Sequence, residues 1–152
     1  MAIARGAGTE IIRSHHLENV SNNANGVLIY GVRHHIYTVL SIIVQCQSVA
    51  TAGNYVFCAL NGYDSLAGTA QRDMAIFLQD MNASQSFVWN DKFSFNGYEP
   101  VDFTGPIDSE AKQDAIADQL VSGDSNRQTL KIITEGADDM DVHITFIDQN
   151  NA

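Results

Sequence analysis

Near the end of the chain Met140, Val142, Ile144 and Phe146 alternate with Asp141, His143 and Thr145. A period of two sends successive side chains to opposite faces of a strand, so this stretch predicts a strand with one covered face. Residues 130–134 predict its antiparallel partner, and Glu135-Gly136-Ala137-Asp138-Asp139 predicts the turn between them. Residues 37–47 hold Val39, Leu40, Ile42, Ile43 and Val44, and β-branched side chains suit a pleated sheet. Strict alternation is missing at the centre of that run, which predicts cover on both faces. Tyr55, Phe57 and Ala59 alternate with Val56, Cys58 and Leu60 in a strand that Asn61-Gly62 is expected to end. Phe87 and Trp89, then Phe93 and Phe95, flank Asn90-Asp91 and predict a hairpin with one aromatic face. Residues 74–78 predict a strand with Met74, Ile76 and Leu78 on one side, a short helix being the rival, and residues 63–72 read as loop.

Two regions break the β pattern. Residues 1–25 are rich in Gly, Asn, Ala and Ser and predict an N-terminal arm, extended over 1–10, with a short strand over 11–15. The domain proper is then 26–152, opening with a strand over 27–32. Over 108–121, Ala111, Ala115, Ile116, Leu120 and Val121 fall at helical spacing, Asp108 or Ser109 suits the N-cap, and Gly123 follows the end. The fold class expected is mainly β: a single β-sandwich or jelly-roll domain with one inserted short helix and an extended N-terminal arm.

Composition narrows the partners. The 152 residues suit one domain, and a hydrophobic share of 45% supports a core. Only 17% of residues are charged, against about 25% in an average globular protein, so Asn, Gln, Ser and Thr supply much of the polar surface. The formal net charge of −10 argues against nucleic acid or an anionic membrane as partner. Most acids follow residue 60, whereas Arg5, Arg13 and Arg33 lie early, which suits an arm docking on an acidic surface; three solvated arginines are the plainer alternative. No run approaches the roughly 20 apolar residues of a membrane span, and the first residues lack a signal-like apolar region, so synthesis in cytoplasm is expected. Cys46 and Cys58 are expected as buried free thiols, with pairing across a hairpin as the alternative.

Candidate chemistry is sparse. His15-His16 and His34-His35 are adjacent pairs whose members point to opposite faces of a strand, so neither pair alone chelates one metal ion. One histidine from each pair with His143 would make a three-imidazole set, but nothing in the spacing requires it. The plainer expectation puts one of each pair in solvent and the other at a subunit contact that loosens near pH 6. Asp138-Asp139-x-Asp141 lacks the glycine and distal glutamate of a calcium loop. No nucleophile elbow, Cys–His signature or phosphate loop occurs in the sequence. No catalytic, cofactor or metal residues are therefore assigned, and the chain is read as a non-enzyme.

The order of elements carries a resemblance. It runs through residues 36–44, then 55–62, the aromatic segment Phe87 to Phe95, residues 130–134, and a closing strand in which Asp141-Val142-His143-Ile144-Thr145 fits D-V-x-[IV]-[ST]. This resembles the small β-sandwich structural proteins of tailed bacteriophage virions, over roughly residues 33–148, with residues 63–73 and 108–121 as departures. The resemblance implies a virion structural role, first as a capsid decoration (cement) protein, a homotrimer or other homo-oligomer bound to the major capsid protein. A tail, neck or fibre component is the alternative, as is a carbohydrate- or receptor-binding module using Trp89, Tyr63 and Tyr98. The candidate subunit contacts are Ile3, Arg5, Ile11, Ile12, Arg13 and Leu17, on an arm that reaches a neighbour.

Overall fold

The structure, a computed structural model, describes residues 9–21, 26–49, 55–64, 69–98, 109–110, 127–134 and 139–150. Among these residues the named elements are all strands: β1 (Thr9–Val20), β2 (Gly26–Tyr30), β3 (His35–Ser48), β4 (Tyr55–Asp64), β5 (Thr69–Asp80), β6 (Ser86–Trp89), β7 (Phe93–Asn96), β8 (Thr129–Thr134) and β9 (Asp139–Asn150). The helix expected over 108–121 lies outside the described residues apart from Ser109 and Glu110.

The pairings share a simple origin. β4 pairs antiparallel with β5, β3 with β6 and β7, β2 with β8, and β1 with β9. The chain thus doubles back on itself as one long antiparallel ribbon. Rolling that ribbon adds two further pairings, β3 with β9 and β4 with β8. The result is one sheet in the order β1-β9-β3-β6, with β7 also on β3, facing a second in the order β2-β8-β4-β5. Eight strands rolled in this way are a jelly roll, with β6 and β7 together filling one strand position.

The core lies between the sheets. Val39, Ile42, Val44, Met140, Val142 and Ile144 enter from the first sheet, and Val56, Cys58, Leu130 and Ile132 from the second; all are fully buried. Burying each large aliphatic side chain contributes about 1.5–3 kcal/mol against the entropy of ordering the chain.

Register explains where the sequence pattern misled. A bulge between Val39 and Ser41 shifts the β3–β9 register, which destroys the alternation read from sequence. β3 is not covered on both faces: Ile43 is 39% exposed while Ile42 and Val44 are buried. The aromatic segment is not a hairpin. β6 pairs with Ile42–Gln45 and β7 with Ile36–Val39, so both run along β3 as one interrupted strand. The four-residue step from Trp89 to Phe93 is even and keeps the aromatics on one face in either arrangement. β4 continues through Asn61-Gly62 to Asp64, and β5 begins at Thr69, so the loop expected over 63–72 is mostly strand. Within β5 a second bulge sets Phe77 opposite Cys58, facing the core, and leaves Met74 and Leu78 exposed.

The outer face of the β1-β9-β3-β6 sheet is built from three cross-strand rows. One runs His16, His143, Ile43, Val88. The next is hydroxylic, through Ser14, Thr145 and Ser41. The third runs Ile12, Ile147, Thr38, Ser94, where the Thr38 and Ser94 hydroxyls lie 2.9 Å apart.

Candidate functional site: the β1 edge and its groove

β1 is the end strand of its sheet. Among the described residues it is hydrogen-bonded along one side only, to β9, from Thr9 opposite Asn150 to Val20 opposite Met140. The expected arm is therefore, over residues 9–20, a strand of the sheet. A bulge at its end places Asn19 at φ 55°, where its N–H donates to Asp141 Oδ1 at 3.0 Å.

Strand parity assigns the side chains. Ile11, Arg13, His15 and Leu17 lie opposite Asp148, Phe146, Ile144 and Val142, the inward positions of β9. Leu17 packs on the core, but Ile11, Arg13 and His15 are exposed. β2, the end strand of the other sheet, faces this half of β1 through Val27, Leu28, Ile29 and Tyr30 without closing on it. The two sheets gape there. A groove of about 640 Å³ opens between the edges, lined among others by Ile11, Ile12, Arg13, Tyr30, Val32 and Phe146.

At the groove floor sits a buried carboxylate. Asp148, 8% exposed, accepts from Arg13 Nε at 2.9 Å through Oδ2, while its Oδ1 lies 2.6 Å from His35 Nδ1. One acid thus ties β1, β9 and β3 together beneath the groove. The Tyr37 hydroxyl accepts from the Val32 N–H at 3.1 Å. Burial, aided by the charge of Asp148, pushes the Tyr37 phenol above its usual range. Both Asp148 oxygens are engaged by cations or donors of the chain itself, which suits a tie between strands better than an acid–base pair.

Of the predicted contact residues, Ile11 and Arg13 face the groove, Ile12 stands at its rim at 71% exposure, and Leu17 is half-buried. Ile3 and Arg5 lie outside the described residues. The histidines do not converge. His35 meets Asp148 on the inner face, whereas His16 and His143 sit on the outer face with ring centroids 5.6 Å apart. Among the described residues no group of three or more His, Cys, Asp or Glu side chains is placed to hold a metal ion. Asp141 is taken by Gln47 and by the Asn19 N–H. Cys46 and Cys58 are buried thiols not joined in a disulfide, the Cys46 Sγ lying 3.6 Å from the Ser48 carbonyl oxygen, and burial pushes Cys58 up to about 12. The carbohydrate platform is not presented. Trp89 stacks on Phe77 at 5.5 Å against the core, Tyr98 is buried, and the Tyr63 side chain lies outside the described residues.

Sequence reasoning missed one cluster. Arg127 lies 4.2 Å from the Tyr30 ring centroid and donates to the Tyr98 hydroxyl through both Nε and a terminal nitrogen, while Arg33 lies 5.1 Å from the Tyr98 ring centroid. Nothing in the spacing of residues 30, 33, 98 and 127 announces this meeting, which the rolled ribbon creates.

No protein-family model matches the chain, and no curated protein matches it. Among solved structures, one of Bacillus endospore appendages, described as a family of disulfide-linked pili, is 12% identical with a TM-score of 0.45, covering 100% of this chain and 97% of that one. A structure of the Gt strain of infectious bursal disease virus is 8% identical with a TM-score of 0.32, covering 95% of this chain and 33% of the viral chain. The Gx strain gives 8% identity and a TM-score of 0.27, with 95% and 36% covered. At these values the likeness carries no functional argument, and the conclusion rests on the geometry.

Proposed function

We propose that the chain is a non-enzymatic structural subunit of a multi-copy assembly, and within that class a capsid decoration protein of a tailed-phage virion. The observation that carries the proposal is the β1 edge, paired on one side only among the described residues, with the groove beside it. Among the described residues, a twelve-residue end strand leaves a row of backbone N–H and C=O groups without a sheet neighbour. Such an edge is a template for a further strand unless something blunts it. Here the groove side adds the exposed side chains of Ile11, Ile12, Tyr30 and Val32. Of the other sheet edges, β2 is short and β6 and β7 are interrupted, while β5 is an end strand of equal length that is broken by its bulge and has no such groove beside it among the described residues.

The energetics favour a partner that supplies an extended segment. Each backbone hydrogen bond contributes a net of about 1 kcal/mol, and apolar burial about 25 cal/mol per Å². Modest contacts of this kind become persistent when many copies bind one shell. Residues 1–25 act in this proposal as the segment that engages the neighbour, with the capsid subunit as partner and the virion as location. A tail, neck or fibre component would use the same edge.

The test adds the purified full chain to particles from the same source that lack it, followed by pelleting. The chain should pellet to saturation, and an Ile11→Asp/Ile12→Asp variant with unchanged circular dichroism should stay in the supernatant. A wild-type chain that never pellets contradicts the proposal. A variant that pellets like wild type removes the edge from it. Separated heads and tails distinguish decoration from a tail role.

A further inference from the structure

We infer that the outer face of the β1-β9-β3-β6 sheet is a contact between two copies of this chain. The inference rests on the assembly reading and adds the partner for a face that shares only Ile12 and Ser14 with the β1 groove.

Charge distribution favours a second copy as the occupant. The chain carries 18 acids against 8 Lys and Arg, so two copies repel one another over most relative orientations. Yet the three cross-strand rows at the centre of this face contain no Asp, Glu, Lys or Arg. Acids appear only beyond them: Glu10 toward one end, Glu18 and Asp141 toward the other. Asp91 and Lys92 lie in the interruption between β6 and β7, at the edge of the sheet. A charge-free centre inside a polar rim is the anatomy of a protein–protein interface. Two copies meeting centre to centre bring no acid against an acid there, and the rim acids keep their water.

The exposed apolar side chains sit within that centre. Ile12 is 71% exposed, Val88 54% and Ile43 39%. They are separated by hydroxyls and by the imidazoles of His16 and His143, with His16 Nε2 3.7 Å from Glu18 at the rim. The opposite outer face is different: Lys131 pairs there with Asp73 at 3.0 Å, which places formal charges near its middle.

The area suffices for a weak to moderate dimer. Four strands about 4.8 Å apart, with about 3.4 Å of rise per residue over the twelve residues of β9, give a whole face of roughly 780 Å², of which the three charge-free rows supply under half and the polar rim the rest. A standard interface uses about 800 Å² per partner.

The experiment is sedimentation velocity of the full chain at neutral pH, from about 1 to 200 μM, in low and high salt. The expected result is a monomer–dimer equilibrium that shifts toward dimer as salt rises, because added salt screens repulsion between acidic copies. Val88→Lys and Ile43→Lys should each shift the midpoint concentration at least tenfold toward monomer. Leu78→Lys, an equally exposed apolar position on the other sheet, should leave it unchanged. Circular dichroism and urea midpoints establish that each variant is folded. A monomer at every concentration overturns the inference, as does a dimer that Leu78→Lys disrupts and Val88→Lys does not. A folded, monomeric chain that still pellets with particles overturns the face contact and leaves the assembly reading standing. A chain that dimerises through this face but never pellets does the reverse.

Discussion

Replacing Asp148 with Ala isolates the tie beneath the groove. The substitution removes the acceptor shared by Arg13 and His35. The two losses differ. Arg13 has a side chain 50% exposed, so its guanidinium returns to water and that pair contributes about 0.5 kcal/mol. His35 is 20% exposed and Asp148 10%, and their 2.6 Å contact is at the short extreme for a nitrogen facing a carboxylate, where about 2.7–2.9 Å is usual. Losing it costs about 1.5–3 kcal/mol, offset in part because the carboxylate no longer has to be buried. The net destabilisation expected is about 2 kcal/mol, a fall of roughly 4–8 °C in melting temperature for a chain of this size. Urea unfolding followed through Trp89 measures it, since the single tryptophan stacks on Phe77 in the core and reports its loss directly. Double-mutant cycles separate the arms. His35→Gln with Asp148→Asn should couple by more than about 1 kcal/mol, and Arg13→Gln with Asp148→Asn by less. A loss under about 0.5 kcal/mol for Asp148→Ala, or a larger coupling to Arg13 than to His35, refutes the reasoning.

Cys58 should resist alkylation in the native chain and react at once in urea; native labelling at neutral pH would contradict its burial. Its raised pKa, with the unfolded thiol titrating near 9, means the associated stability is intact below about pH 9. That stability falls as pH rises toward 12, by about 1.4 kcal/mol per unit for this group, and alkaline titration of the urea midpoint checks the sign. Gly97→Ala should cost about 3 kcal/mol, because the new Cβ would sit 2.1 Å from the Val32 carbonyl oxygen. Relieving that overlap moves the backbone that links His35, Gly97 and Gln128 by hydrogen bonds of 2.9 Å. An unchanged urea midpoint would show that this close approach is not needed.

The sheet is legible in the sequence wherever strands run without irregularity. The even positions of β9 from Met140 to Phe146 are buried as the alternation predicts, but the expected hairpin with residues 130–134 does not form: β8 lies in the other sheet between β2 and β4, while β9 pairs with β1 and β3. Bulges defeat the pattern elsewhere. One extra residue beside Leu40 and one beside Ile76 each reverse the parity of the rest of the strand, and neither carries a glycine or proline to mark it. The sequence shows β2 as a short strand over 27–32, close to the observed Gly26–Tyr30, but not the groove that it forms beside Ile11 and Arg13. The sequence marks β1 as strand only over residues 11–15, because exposed Ile, Arg and His positions on an end strand look like a loop when their only cover is one neighbour. The Asp148 tie is beyond sequence reading altogether. It joins residues 13, 35 and 148, which only the rolled ribbon brings together.

The most direct test of the assembly account is the copy number of this chain on density-gradient-purified particles, by quantitative mass spectrometry against the major shell protein. The account predicts a fixed, reproducible ratio that survives repeated banding. A chain that stays with soluble proteins at the top of the gradient, or whose ratio dwindles toward zero with each banding, would contradict it.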